Sequence, residues 1–157
     1  ISVAFGIISQ SFSQVFYKRI SELENHQLLN VLKKNVLLLF GISIIVLVFV
    51  QIIPNSFVVR ILGYKWNEFM PVLKLIIFSV SISFVSSSVS FIFIRTNRQK
   101  EMLFFDIFHL VLVSVSIVLG YYYTNDFMST LKFFVFAQMF YYSFAIFLSF
   151  YFTKKVS

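Results

Sequence analysis

Residues 36–53, VLLLFGISIIVLVFVQII, run for eighteen positions without a single charge. The hydrocarbon core of a bilayer is about 30 Å thick, and a helix rising about 1.5 Å per residue crosses it in roughly 20 apolar residues. Comparable runs occupy residues 1–17, 72–94, 103–123 and 131–152. Only 12% of the chain is charged, against about 25% in ordinary soluble domains, and the mean hydropathy is +0.90. In lipid every backbone polar group must be satisfied internally, which leaves helices or closed barrels. A barrel would show alternating segments of about ten residues rather than continuous apolar runs. The sequence therefore predicts an all-α integral membrane protein: one transmembrane domain over 1–157, a bundle of about five helices. The first run is short, starts at Ile1 and has no basic segment before it, so it does not read as a signal peptide; the chain is expected to begin inside a longer protein.

The basic residues orient the bundle. With the loop after the first helix placed in the cytoplasm, Lys18, Arg19, Lys33, Lys34, Arg95, Arg98, Lys100, Lys154 and Lys155 gather on one side, and Arg60, Lys65, Lys74 and Lys132 on the other. The positive-inside rule favours that choice, with a cytoplasmic C-terminus. In the first loop, Ser21 and Glu24 have the spacing of a capping box, and Ile20, Leu23, Leu28 and Val31 return to one helical face. Two readings fit: a short amphipathic helix on the membrane surface with Lys33 and Lys34 near anionic headgroups, or a solvated connector. His26 in this loop reads as an exposed polar residue.

At about 100° per residue, polar side chains fall into stripes. Gly6, Gln10, Ser13, Gln14 and Tyr17 share a side of the first helix, and Gln138, Tyr141, Tyr142 and Ser149 a side of the fifth. The third has two arcs: Ser79, Ser83, Ser86, Ser87 and Ser90 on one face, Lys74, Ser81 and Ser88 opposite. Small hydroxyl residues on a spanning helix first suggest close packing, although one arc has the character to line water. Gly41, Ser43 and Gln51 look scattered, so 36–53 is the span expected against lipid. On the fourth helix Asp106, His109, Ser116 and Gly120 lie within about 80°. A charged residue facing lipid costs several kcal/mol, so Asp106 and His109 should face other helices or water. Asp106 then has two possible roles: a structural anchor near the cytoplasmic interface, aided by the helix macrodipole, or a group that takes part in protonation and coupling.

The chain has no Cys, which excludes disulfides and thiolate metal sites, and its two His are too far apart in sequence to suggest a zinc site. No Gly-rich phosphate loop or nucleotide motif is present. No cofactor, metal or nucleic-acid partner is expected, and no enzymatic role: a membrane enzyme would need a catalytic cluster at one face, and the long outward loop offers only Arg60, Lys65, Trp66 and Glu68.

Pro54 ending a helix, then Leu62, Gly63 and Trp66, then a Leu- and Ser-rich helix, then NRQK before the next span resembles the C-terminal part of bacterial polysaccharide flippases, the Wzx-type members of the MOP exporter superfamily. SQSFSQVFYKRISEL resembles that family's passage from an even-numbered helix into the cytoplasm. The resemblance covers nearly the whole chain. It implies two lobes of six helices around a cavity, with these spans as helices 8 to 12, an N-terminal lobe supplied from elsewhere, and transport of an undecaprenyl-pyrophosphate-linked O-antigen unit across the bacterial inner membrane during surface polysaccharide biosynthesis. Membrane lipids and the lipid-linked oligosaccharide are the implied partners. Such a cargo needs hydroxyl and amide groups for sugars, which Gln10, Gln14, Tyr17, Ser81, Ser88, Gln138 and Tyr142 could supply, and cations for pyrophosphate, such as Lys74 or Lys18. Asp106 and His109 are the candidates for coupling to an ion gradient. The rival expectations are a non-transporting membrane assembly protein and a drug or ion antiporter of the same superfamily.

Overall fold

The computed structural model describes residue 11, residues 14–18 and residues 20–156, the Leu62 side chain excepted. Most of the first expected span, with Gly6, Gln10 and Ser13, lies outside the described residues. The described chain is all-helical: α1 (Asn25–Ile52), α2 (Asn55–Leu62), a 3-10 turn (Tyr64–Trp66), α3 (Phe69–Val89), α4 (Phe91–Arg95), α5 (Gln99–Thr124) and α6 (Phe127–Val156). Among the described residues four helical segments are long and apolar enough to cross a membrane, with α3 and α4 counted as one segment, Phe69–Arg95.

Each boundary has a local cause. Pro54 cannot continue α1, and it pushes the preceding Ile53 out of the helical region to φ −59°, ψ 119°. Pro71 stands in the first turn of α3, where a missing N–H costs little. Gly63 closes α2 at φ 94°, a conformation that side chains disfavour, with its amide donating to the Val59 carbonyl. The α5–α6 turn joins two caps: Asn125 is left-handed at φ 46°, and the Asp126 carboxylate accepts from the Ser129 amide at 2.8 Å. That hydrogen bond is the main reason the Asp126 carboxyl is held below the ordinary carboxylate range.

Residues 18–35 depart from both sequence readings. Neither a separate surface helix nor a connector fills this stretch, because α1 runs unbroken for 28 residues from Asn25. No Pro or Gly interrupts residues 25–36, so backbone hydrogen bonding continues past the membrane boundary, and the helix, about 42 Å long, exceeds the hydrocarbon core. The capping box does not form: the Ser21 hydroxyl donates to the Lys18 carbonyl, and no side chain caps α1 at Glu24. The apolar face survives with a different partner. Ile20, Leu28 and Leu32 are buried with Phe16 against Val89 and Ile92, inside the bundle rather than on a membrane surface. His26 is exposed and lies 3.2 Å from the exposed Glu24 carboxylate.

The helices pack in the spatial order α1, α3, α6, α5. Half of the apolar window of Phe69–Arg95 is buried, and none of that of α5. The lipid-facing expectation for 36–53 thus fits α5 better. α1 is largely exposed, but its polar residues are not scattered: Ser43 donates to the Ser81 carbonyl at 3.1 Å and Gln51 to the Lys74 carbonyl at 2.8 Å. The outer surface of the bundle is apolar, with Ile45 and Phe49 of α1, Leu110 and Val118 of α5 and Phe136 of α6 all exposed, which suits a lipid solvent.

The basic end is tied together by direct contacts. Arg95 donates from Nε to the Ile20 carbonyl and from Nη2 to the Leu23 carbonyl, both at 3.3 Å. Phe93 meets Phe152 edge-on at 5.5 Å, and the Arg98 guanidinium stands over the Phe152 ring. The 20–25 turn, the 96–98 turn and the end of α6 therefore share one end of the bundle, as the charge segregation requires.

Candidate functional site

On α5, Asp106 and His109 are three residues apart; on antiparallel α6, Gln138 and Tyr141 are three apart. The opposed spacings match, so both pairs meet. Tyr141 Oη donates to Asp106 Oδ1 at 2.9 Å. His109 Nε2 lies 3.0 Å from Gln138 Oε1, within hydrogen-bond distance. The imidazole also stacks on the Tyr141 ring, with centroids 3.9 Å apart and planes 9° from parallel. Tyr142 leans on the same imidazole at 5.4 Å. Tyr141 is only 8% exposed, so the seam is closed around its ring.

Beside the seam lies a cleft of about 200 Å³ between α3, α5 and α6. Ser86, Ser87 and Ser90 form one wall, and Asp106, Tyr141 and Tyr142 another. Phe93, Phe105 and Phe144 complete it with ring surface. Several serine hydroxyls are satisfied within their own helix: Ser87 donates to the Phe84 carbonyl and Ser90 to the Ser87 carbonyl, a pattern that loosens and bends helices. α3 indeed gives way to α4 at Ser90. A water's share of liquid volume is about 30 Å³ and drug-sized pockets start near about 300 Å³. The cleft thus admits a few waters, an ion or one small polar group.

Of the residues expected to act, Asp106, His109, Gln138 and Tyr142 come together here. The others do not. Gln14 and Tyr17 are exposed, Tyr17 with its ring 5.0 Å from Phe91. Lys18 is exposed at the basic end. Lys74 sits near the start of α3, where its carbonyl receives Gln51. Ser81 and Ser88 are buried; Ser81 packs on α1 through Ser43, and its own hydroxyl has no partner among the described residues. The two serine arcs have exchanged roles: the Ser86/Ser87/Ser90 arc borders the cleft, and Ser81 and Ser88 pack. The macrodipole account of Asp106 also fails, because α5 starts at Gln99 and the dipole acts only within the first turn. Sequence reasoning leaves Tyr141 out of the site although it lies on the correct stripe; its three-residue spacing from Gln138, mirroring Asp106 and His109, is the available signal.

No family model, curated protein or solved structure matches this chain. The class defined by the fold is a membrane-embedded helical bundle with a polar seam among its apolar helices.

Proposed function

We propose that the chain is a lobe of a membrane transporter, and that its cargo is a lipid-linked oligosaccharide of surface polysaccharide synthesis, an undecaprenyl-pyrophosphate-linked unit moved across the bacterial inner membrane. The observation that carries the transport reading is the seam itself: a carboxylate, an imidazole, a carboxamide and two phenols held together on apolar helices and opening on a small cleft. Ionisable groups within membrane spans mark substrate or ion paths by default. Protonation removes the charge from the Asp106 carboxyl and adds an O–H donor beside its remaining acceptor oxygen, so the Tyr141 bond loses its charge assistance, which gives ion coupling a local element to act on. The order of motifs from Pro54 to Lys100 supports the choice of cargo, and the basic end supports a cytoplasmic C-terminus. A sugar chain is far larger than the cleft, so the cargo path needs a second lobe moving against this one.

A second reading has its own support. A lone carboxylate bordered by Phe93, Phe105 and Phe144 suits a small cation, as in a drug or ion antiporter of the same superfamily. Complementation separates the two. A strain lacking its polysaccharide flippase should recover surface polysaccharide when this chain is supplied with an N-terminal lobe, and not from this chain alone. Tyr142→Ala and Asp106→Asn should abolish recovery at unchanged membrane abundance, while Val46→Leu should not. Recovery of cation resistance without surface polysaccharide would replace the flippase reading by the antiporter one.

A further inference from the structure

A second concavity, of about 270 Å³, lies between residues 14–18 and the first third of α1. Val15, Phe16 and Leu38 make its apolar wall, and Asn30, Lys34 and Asn35 its polar one. No acid borders it. Lys34 is exposed and forms no ion pair among the described residues, and Asn35 Nδ2 is buried without a hydrogen-bond partner among them. A buried unpaired donor is costly, so a ligand whose acceptor reaches this amide relieves a standing penalty.

Position along the helix fixes the depth of the groove. The uncharged run of α1 begins at Val36, so Lys34 and Asn35 stand where hydrocarbon gives way to headgroups. Toward the membrane centre the groove continues onto Leu38, which is 54% exposed. Cation and amide at headgroup level, with open apolar surface beside them, reproduce in complement the build of one phospholipid. Lys33, next in sequence but about 100° around the helix, does not border the groove.

We propose that this groove binds the phosphate-bearing headgroup of an anionic lipid. Lys34 pairs with the phosphate, Asn30 and Asn35 donate to its oxygens, and an acyl chain lies along Val15 and Leu38. The site is separate from the cleft and does not depend on the transport reading. Its apolar wall selects a lipid over free phosphate, and its cation selects an anionic lipid over a zwitterionic one.

The test is thermal unfolding of the protein in neutral detergent, titrated with dioctanoyl phosphatidylglycerol, dioctanoyl phosphatidylcholine or inorganic phosphate. Phosphatidylglycerol should raise the midpoint saturably and the other two should not. Lys34→Gln should shift half-saturation upward about fivefold, Asn35→Asp at least as much, and Lys33→Gln less than about twofold. Should Asn35→Asp unfold the protein, Val15→Trp, which fills the groove, takes its place and must remove the saturable rise. Equal effects of Lys33→Gln and Lys34→Gln, or equal stabilisation by phosphatidylcholine, would overturn the proposal. Stabilisation by inorganic phosphate alone would assign the groove to free phosphate and overturn the lipid assignment.

Discussion

Tyr141→Phe is the sharpest perturbation of the α5–α6 seam, because it removes one hydroxyl and leaves the ring that stacks on His109. Hydrogen bonds to charged groups contribute about 1.5–3 kcal/mol in soluble proteins. Interhelical bonds in membranes average nearer about 0.6 kcal/mol, with a maximum of about 1.7, because alternative partners exist in the unfolded state. Asp106 is exposed at the cleft, where water or headgroups can replace the phenol, so the lower range applies: about 0.5–1.5 kcal/mol for the 2.9 Å bond. Tyr141→Ala also deletes a ring that is 8% exposed and should cost about 3–5 kcal/mol. The assay is reversible unfolding in mixed micelles, run as a double-mutant cycle of Tyr141→Phe with Asp106→Ala. Asp106→Asn serves as the control that keeps an acceptor oxygen but loses the charge, as protonation does; it should lose the charge-assisted part of the coupling and keep the rest. A coupling energy for Tyr141→Phe and Asp106→Ala within about 0.3 kcal/mol of zero would refute the claim that this bond ties α5 to α6.

Gly120→Ala should destabilise by about 1–3 kcal/mol, since a Cβ there would meet the Thr130 Cα at 3.0 Å and the Phe133 Cβ at 3.1 Å; a neutral or stabilising result in the same unfolding assay would mean that the helices part freely. Single cysteines at Asn97 and Asn125, introduced into a chain that has none, should label from opposite sides of the membrane, and labelling of both from one side would mean that α5 does not cross it. The depressed carboxyl of Asp126 contributes at pH values above the ordinary Asp range near about 4, and its contribution is lost as the pH falls through its lower folded value. The protection of the Ser129 amide against hydrogen exchange, taken relative to its intrinsic rate at each pH, should therefore fall under strong acid, and Asp126→Ala should lower it already at neutral pH.

What is legible in the sequence follows from what periodicity can and cannot encode. The stripes Asp106/His109 and Gln138/Tyr141/Tyr142 come from helical spacing alone, and both lie at the seam. Their pairing needs a register, and the clue is the tight turn at Asn125–Asp126: residues equidistant from such a turn stand opposite one another, which brings Asp106 to about one turn from Tyr141. Hydropathy misplaces the start of α1 because it reports where the solvent changes, whereas a helix ends only where its backbone is interrupted, and no proline before Pro54 interrupts it. The two serine arcs of α3 cannot be ranked from sequence, since a serine that bonds its own helix carbonyl is equally content beside a packed helix or a cleft. What distinguishes them is the partner surface. Ser43 and Gln51, eight residues apart on α1, share a face and draw the Lys74 and Ser81 side of α3 toward themselves, which leaves the opposite arc to border the cleft with Asp106. The location of the cleft is thus set by two polar residues of α1 that do not touch it, and replacing both with leucine should loosen α1 from α3 before it alters the seam.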